Sequence, residues 1–498
     1  MNNNGTRYEF LSSGKSPAAN EVLLVPLPAK PRPPMSLLAP IDALCEDAVS
    51  QLVDLGALGE DAGKLAHSSR SNGFRRILLV SLGDTAQLMA GKVRQAGAAA
   101  ADWLIAQRIT QASLWLDGLD ATQVEHASAE FATGLILAGF RFGELKKADE
   151  KRPALIRVSL RAIQPERARQ DLRRIQAAQC VADSVNYMRS VAHRPPNILH
   201  PPALAAEARK LAKSQGLKCQ VLDVPKLRAM NLNGLLSVGM AASHKPCLIR
   251  LDYRGAPRSR HTTVVIGKAV TFDTGGISIK PAAGMEGMKF DKCGGMVVLG
   301  VLRAISELKM KCNVIGLIAA AENAVSDDAY RPSDIIRMAN GKTVEIISTD
   351  AEGRMVLADA LWYAQKVCKP RAMINLATLT GAVTIALGRP CAAIMSNNDE
   401  LAAELGESGR RTHERLWRLP LWDDYKDLIK GNDSDLRNSS GKRDAGTIVG
   451  GMFLKEFVDD KTPWAHLDIA AVATTENDKA ATGFGVRLLV DYLQRRAE

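Results

Sequence analysis

The chain has 498 residues, 46% of them hydrophobic and 24% charged, and carries a formal net charge of +11. That length exceeds what one core usually serves, so at least two domains are expected, and the composition is that of a globular chain rather than a disordered or fibrous one. No apolar run reaches the roughly 18 residues of a membrane span and the opening MNNNGTRYEFLSSGK lacks an apolar signal core, so the expectation is a soluble cytoplasmic protein with no membrane partner.

In chain order, VLLVPL (22–27) and RRILLVSLG (75–83) read as strands, the Ala-rich stretch 87–108 as a helix and ASLWL (112–116) as another strand. This alternation predicts an N-terminal α/β domain over 1–160. Residues 161–197 read as a linker: a helix-like stretch ending where His193-Arg194-Pro195-Pro196-Asn197 breaks it, because the residue before a proline disfavours the α conformation. Residues 198–498 carry a second α/β pattern. Strands are expected at 262–273, 313–323, 343–348, 372–378 and 465–470, and helices at 294–309, where apolar residues recur at helical spacing, and 352–366. The fold class predicted is two α/β domains joined by a helix, the second built on a central mixed sheet flanked by helices.

The positive charge is partly local. Lys146 to Arg174 holds ten basic residues against four acidic ones, which reads first as a solvated helix and linker surface and second as a patch for nucleic acid. The eight cysteines are scattered without a CxxC pair, which argues against a disulfide framework or a thiolate zinc site. The eight histidines form no HExxH pair, and no G-x-S-x-G occurs.

Two stretches hold the chemistry. GKAVTFDTGGISIKPAAGMEGMKFDKCGG contributes Lys268, Asp273, Lys280 and Asp291; STDAEGR contributes Asp350, Glu352 and Arg354. Charged groups set among apolar segments are costly unless paired or bound to metal. Four carboxylates balance two divalent cations, and oxygen-rich sites suit Mg²⁺, Mn²⁺ or Zn²⁺. Two such ions can share a water, lower its pKa and polarise a carbonyl. Asp273 is expected to end its strand before Thr274-Gly275-Gly276, at a sheet edge where open α/β folds place their sites. Asp350 and Glu352, two apart, share a side if the backbone there is extended.

VTFDTGGISIKP, STDAEGRMVLADAL, ATLTGA and WAHLDIA, together with 322–334 and 436–454 in the same order, resemble the leucyl (cytosol) aminopeptidase family. The resemblance is close from about residue 180 onward. It implies a metal-dependent aminopeptidase that releases Leu-like N-terminal residues from peptide substrates and assembles as a homohexamer. It implies Lys268, Asp273, Asp291, Asp350 and Glu352 as ligands of two ions (Mn²⁺ or Zn²⁺, with Mg²⁺ a further candidate). Asp273 and Glu352 would bridge the ions, and Lys268 would bind as the neutral amine. Lys280 would stabilise the oxyanion, and Arg354 would hold a bicarbonate-like anion as general base toward a bridging hydroxide nucleophile. Met288, Thr378, Leu379, Gly381, Ala470 and Ala473 would line the side-chain pocket. Ser348, Ala269 and His193-Arg194 depart from the family pattern without removing a ligand, and Ala473 replaces a bulkier residue of some relatives. The rival reading is a nucleic-acid-binding regulator acting through the basic linker surface.

Overall fold

The structure, a computed structural model, describes residues 5–12, 21–69, 74–120, 122, 124–147, 149–476 and 479–496. The chain divides into two compact units, 1–186 and 187–498. The first is built on a six-stranded sheet in the order Arg7–Ser12, Leu155–Arg161, Gln111–Trp115, Val22–Leu27, Arg76–Ser81, Leu65–Ser68. All neighbours run parallel except the last pair. Val22–Leu27 is buried along its whole length, as an unbroken apolar run in mid-sheet must be. The Ala-rich helix expected at 87–108 runs Ala90–Ala106, and a further helix, Ala127–Ala138, packs beside it.

The helix expected before the prolines is Pro165–His193, and it stops where the Pro-Pro sequence begins. Much of the basic stretch is answered by carboxylates within its own unit. Arg157 pairs with Glu9 at 2.8 Å, Arg161 with Glu21 at 3.6 Å, and Arg167 with Asp120. The buried Asp171 takes Arg167 at 3.3 Å and Arg174 at 3.1 Å. No helix among the described residues is long and apolar enough to cross a membrane.

The second unit is built on eight strands: β1 Lys218–Leu222, β2 Cys247–Arg254, β3 Thr263–Asp273, β4 Asn313–Asn323, β5 Ala372–Ala377, β6 Ala392–Ser396, β7 Leu416–Arg418 and β8 Trp464–Asp468. Their order across the sheet is β7-β6-β8-β5-β3-β4-β2-β1. The four central strands, β8, β5, β3 and β4, run parallel, and antiparallel partners flank them at β6 and β2. A buried parallel centre explains the near-continuous apolar runs that marked these strands in the sequence. The segment expected as a strand at 343–348 is strand only at Thr343–Glu345, in a small separate sheet.

Helices α1 (Cys293–Glu307), α2 (Glu352–Tyr363), α3 (Gly446–Lys455) and α4 (Val486–Arg495) cover the sheet. Alternation along the strands sorts the faces. Val264, Ile266 and Leu317 join the apolar cluster that contains residues of α2 and α3. Gly316 faces the opposite way, where a Cβ would meet Val298 and Leu302 of α1.

Candidate metal centre

β3 outruns its neighbour. β5 ends at Ala377, one residue beyond the pairing of Leu376 with Gly267, so Lys268 stands level with that strand's end. Lys268 is 2% exposed. Its Nζ lies 2.8 Å from Asp291 and 2.6 Å from Glu352, and it donates to the Thr378 carbonyl at 3.0 Å. Asp291 closes the 3₁₀ turn Met285–Phe290 ahead of α1 and accepts the Thr378 hydroxyl at 2.7 Å.

Asp273 is the last residue of β3, as the sequence implied, and lies in register with Asn323 at the end of β4. One carboxylate oxygen accepts from the Gly275 N–H at 2.9 Å and from Asn323 Nδ2 at 2.8 Å; the other lies 2.9 Å from Lys280 Nζ. Lys280 also pairs with Asp350. The loop between them turns through Gly275 at φ +87° and Gly276 at φ +68°, a region that favours glycine. Buried Thr349 clamps it: its hydroxyl donates to the Gly275 carbonyl at 2.6 Å and accepts the Ser278 N–H at 2.8 Å. Lys280 and Asp350 are thereby held together by one knot.

The extended backbone that would put Asp350 and Glu352 on one side does not occur; the helix expected from residue 352 does begin there. Ala351, at φ −109° and ψ 40°, caps α2, and Glu352 is that helix's first residue. The two carboxylates converge because the chain turns there. Carboxylate oxygens of Asp273, Asp350 and Glu352 lie within 4.8 Å of one another.

Glu352 and Asp291 are buried, and burial with repulsion from Asp273 raises the Glu352 carboxyl to about 8. Burial raises Asp291 to about 6 against the pull of Lys268. Burial also pulls on Lys268, but attraction from Asp291, Glu352 and Asp273 outweighs it and holds the amine above its ordinary value. Four carboxylates share two ammonium groups, so the cluster lacks the positive charge to keep every acid ionised. That donor set, carboxylate-rich with one amine in reach, fits two divalent cations.

Arg354 lies in the first turn of α2, buried, and burial lowers it to about 10. It donates to the Asn438 carbonyl at 2.7 Å, while its Nε has no hydrogen-bond partner. Of the expected pocket residues, Thr378 and Leu379 follow β5, Gly381 caps the next short helix, Met288 lies in the turn before Asp291, and Ala470 and Ala473 follow β8. Ala473 is only 2% exposed.

Sequence reasoning missed the supports. Asn323, Thr349 and Asn438 are neutral, and their sites lie far apart in the chain. Gly353, read only as part of a motif, is a close approach: a Cβ there would sit 2.7–2.8 Å from three atoms of the Lys268 side chain.

Residues 186–490 match the catalytic domain of the cytosol aminopeptidase family, and residues 29–149 match that family's N-terminal domain. The chain belongs to the cytosol aminopeptidase family. It is a metallo-exopeptidase of that family, and the family is divalent-metal dependent. It is 40% identical over 471 residues to a probable cytosol aminopeptidase of Geobacter sulfurreducens, covering 92% of this chain and 93% of the relative. It is 39% identical over 457 residues to one from Cenarchaeum symbiosum, covering 89% and 91%. Among solved structures, a mutant of tomato leucine aminopeptidase superposes with a TM-score of 0.86 at 29% identity, covering 98% of this chain and 96% of that one. The bottromycin maturation enzyme BotP in complex with Mn superposes at 0.85 and 29% identity, covering 96% and 100%.

Proposed function

We propose that this enzyme hydrolyses the N-terminal peptide bond of peptides, favouring Leu-like first residues, with two divalent cations held by Lys268, Asp273, Asp291, Asp350 and Glu352. The observation that carries the reading is the convergence of Asp273, Asp350 and Glu352 within 4.8 Å, bounded by two lysines. When bound, two such cations supply Lewis acidity that lowers the pKa of water and polarises the scissile carbonyl.

The chain's own residues do the rest. Lys280 reaches the cluster from a clamped loop and stays charged, since attraction from Asp273, Glu352 and Asp350 outweighs the effect of burial. It is placed to stabilise the oxyanion of the tetrahedral intermediate. Arg354, with Nε unspent, would hold a bicarbonate-like anion, which would supply a general base toward the attacking water. Met288, Thr378, Leu379, Gly381, Ala470 and Ala473 form the pocket for the first side chain, and the small Ala473 leaves depth for a branched aliphatic one. Assembly as a homohexamer in the cytoplasm completes the proposal.

The test is hydrolysis of a panel of aminoacyl-amides by chelated protein resupplied with Mn²⁺, Zn²⁺ or Mg²⁺. Leu-amide turned over fastest, with Mn²⁺ or Zn²⁺ restoring activity, is expected. Equal rates with and without metal would overturn the reading.

A further inference from the structure

β5 and β8 lie side by side, and the two halves of the proposed pocket hang from their ends: Thr378 to Gly381 from β5, Ala470 to Ala473 from β8. Asp468, the last residue of β8, is fully buried between them and takes no part in the metal cluster. One oxygen accepts the Leu379 N–H at 3.1 Å and the Ala470 N–H at 3.2 Å. The other accepts the Thr380 hydroxyl at 2.6 Å. Thr380 has one proton and spends it on Asp468, so the 2.9 Å contact between Thr380 and Thr447 is a donation from Thr447, in the first turn of α3. A single carboxylate thus ties both walls to each other and to a third element.

The tie reaches the reacting centre by one residue. Thr378, next to Leu379, accepts Lys268 at its carbonyl and donates to Asp291 from its hydroxyl. Tilting the loop after β5 therefore moves the pocket wall relative to the proposed ligands. The bland reading of a buried, hydrogen-bonded aspartate is that it merely stabilises the fold. Its partners here are backbone N–H groups of two separate pocket loops, which general stability does not require.

We propose that Asp468 is a positioning residue for specificity: it fixes the separation of the two pocket walls, and through Thr378 their register with the ligand cluster. The inference rests on the aminopeptidase reading of the pocket. Selectivity between a Leu-like and an Ala-like first residue depends on how closely both walls contact the extra carbons. Loosening the tie lowers that selectivity while leaving the ligands in place.

The experiment measures the ratio of kcat/KM for Leu-amide to that for Ala-amide, a quantity independent of how much of a preparation is active, together with bound metal per subunit. Asp468→Ala is expected to lower the ratio about tenfold with metal content unchanged. Asp468→Asn should stay within about twofold of the parent. Its carbonyl still accepts from Leu379 and Ala470, and its amide donates to Thr380, whose proton turns to Thr447. Thr380→Val removes one arm of the tie without a large cavity and should lower the ratio about threefold; it decides the question should Asp468→Ala not fold. A ratio unchanged in Thr380→Val and in folded Asp468→Ala overturns the proposal. So does an Asp468→Asn variant as unselective as Asp468→Ala, because charge rather than the tie would then matter. Equal parental rates on both amides would overturn the pocket reading and this inference with it, an outcome visible before any variant is made.

Discussion

Gly353→Ala is the sharpest single-atom probe of the site. The added methyl would lie 2.7 Å from Lys268 Nζ and 2.8 Å from its Cδ and Cε. Ordinary contact begins near 3.4 Å, so roughly 0.7 Å must be found by displacement. Lys268 cannot yield freely, because Asp291, Glu352 and the Thr378 carbonyl hold its amine from three sides. Overpacking costs about 1–3 kcal/mol, whereas alanine in a helix returns up to about 1 kcal/mol relative to glycine. Net destabilisation should therefore be only about 0–2 kcal/mol, small enough for the variant to fold. Activity should suffer far more. A misplacement approaching 1 Å at a reacting centre costs on the order of 100-fold, equivalent to about 2.7 kcal/mol in kcat/KM. The assay is hydrolysis of Leu-p-nitroanilide alongside metal analysis and a urea melt. Activity within about threefold of the parent, with a full complement of metal, would refute the argument that Lys268 is a fixed ligand.

Three further outcomes are expected. Lys280→Ala should lower kcat by roughly a hundredfold while metal content stays near the parent's, as for loss of an oxyanion donor; loss of the metals would mean that the lysine is a structural counter-charge instead. Removing metal with a chelator should abolish hydrolysis, and Glu352→Ala should do the same while most of the fold survives; full activity in either would end the two-metal proposal. His466 is buried, accepts from Asn375 at 2.7 Å, and is lowered by burial to about 3 from an ordinary 6.5. The folded state then binds fewer protons than the unfolded chain below pH about 6.5, so the stability this neutral imidazole provides is present above that pH and lost as pH falls toward 3, by about 1.4 kcal/mol per pH unit. Urea midpoints of metal-free parent and His466→Gln between pH 6.5 and 4.5 should differ by one proton's worth of slope, and parallel curves would show that His466 is not the group.

The central strands, and the gathering of the ionisable candidates at their ends, were legible because both leave strong local marks. β3 spans Thr263–Asp273 against an expectation of 262–273, and β4 spans Asn313–Asn323 as expected, since long apolar runs ending in polar residues have few other readings. Helix ends were less exact: α2 stops as regular helix at Tyr363, and residues 364–368 continue as a wider turn. The geometry at Asp350–Glu352 stayed conditional because residue spacing alone cannot distinguish an extended pair from a turn into a helix, although the helix expected from Glu352 does start there. The supports at Asn323, Thr349, Asn438 and Asp468 stayed hidden for a different reason. Each acts on backbone or side-chain atoms dozens of residues away, through contacts that a neutral or isolated residue does not advertise. The basic stretch looked available in sequence, and only the fold brought Glu9, Glu21 and Asp120 to it.

β8 is the last strand in chain order yet lies inside the sheet, between β5 and β6. A growing polypeptide that has not yet delivered Trp464–Asp468 therefore leaves β5, apolar at every position but Asn375, as an open edge, and β6 with β7 as a detached pair. Open apolar edges recruit other strands, and pairings across such long stretches of chain form slowly. Ribosomal stalling or truncation just short of Trp464 should yield sticky fragments rather than a smaller working enzyme. The same order of synthesis delays catalysis: Asp468 arrives with the closing strand, so a nascent chain cannot set its pocket walls until the sheet around them is complete.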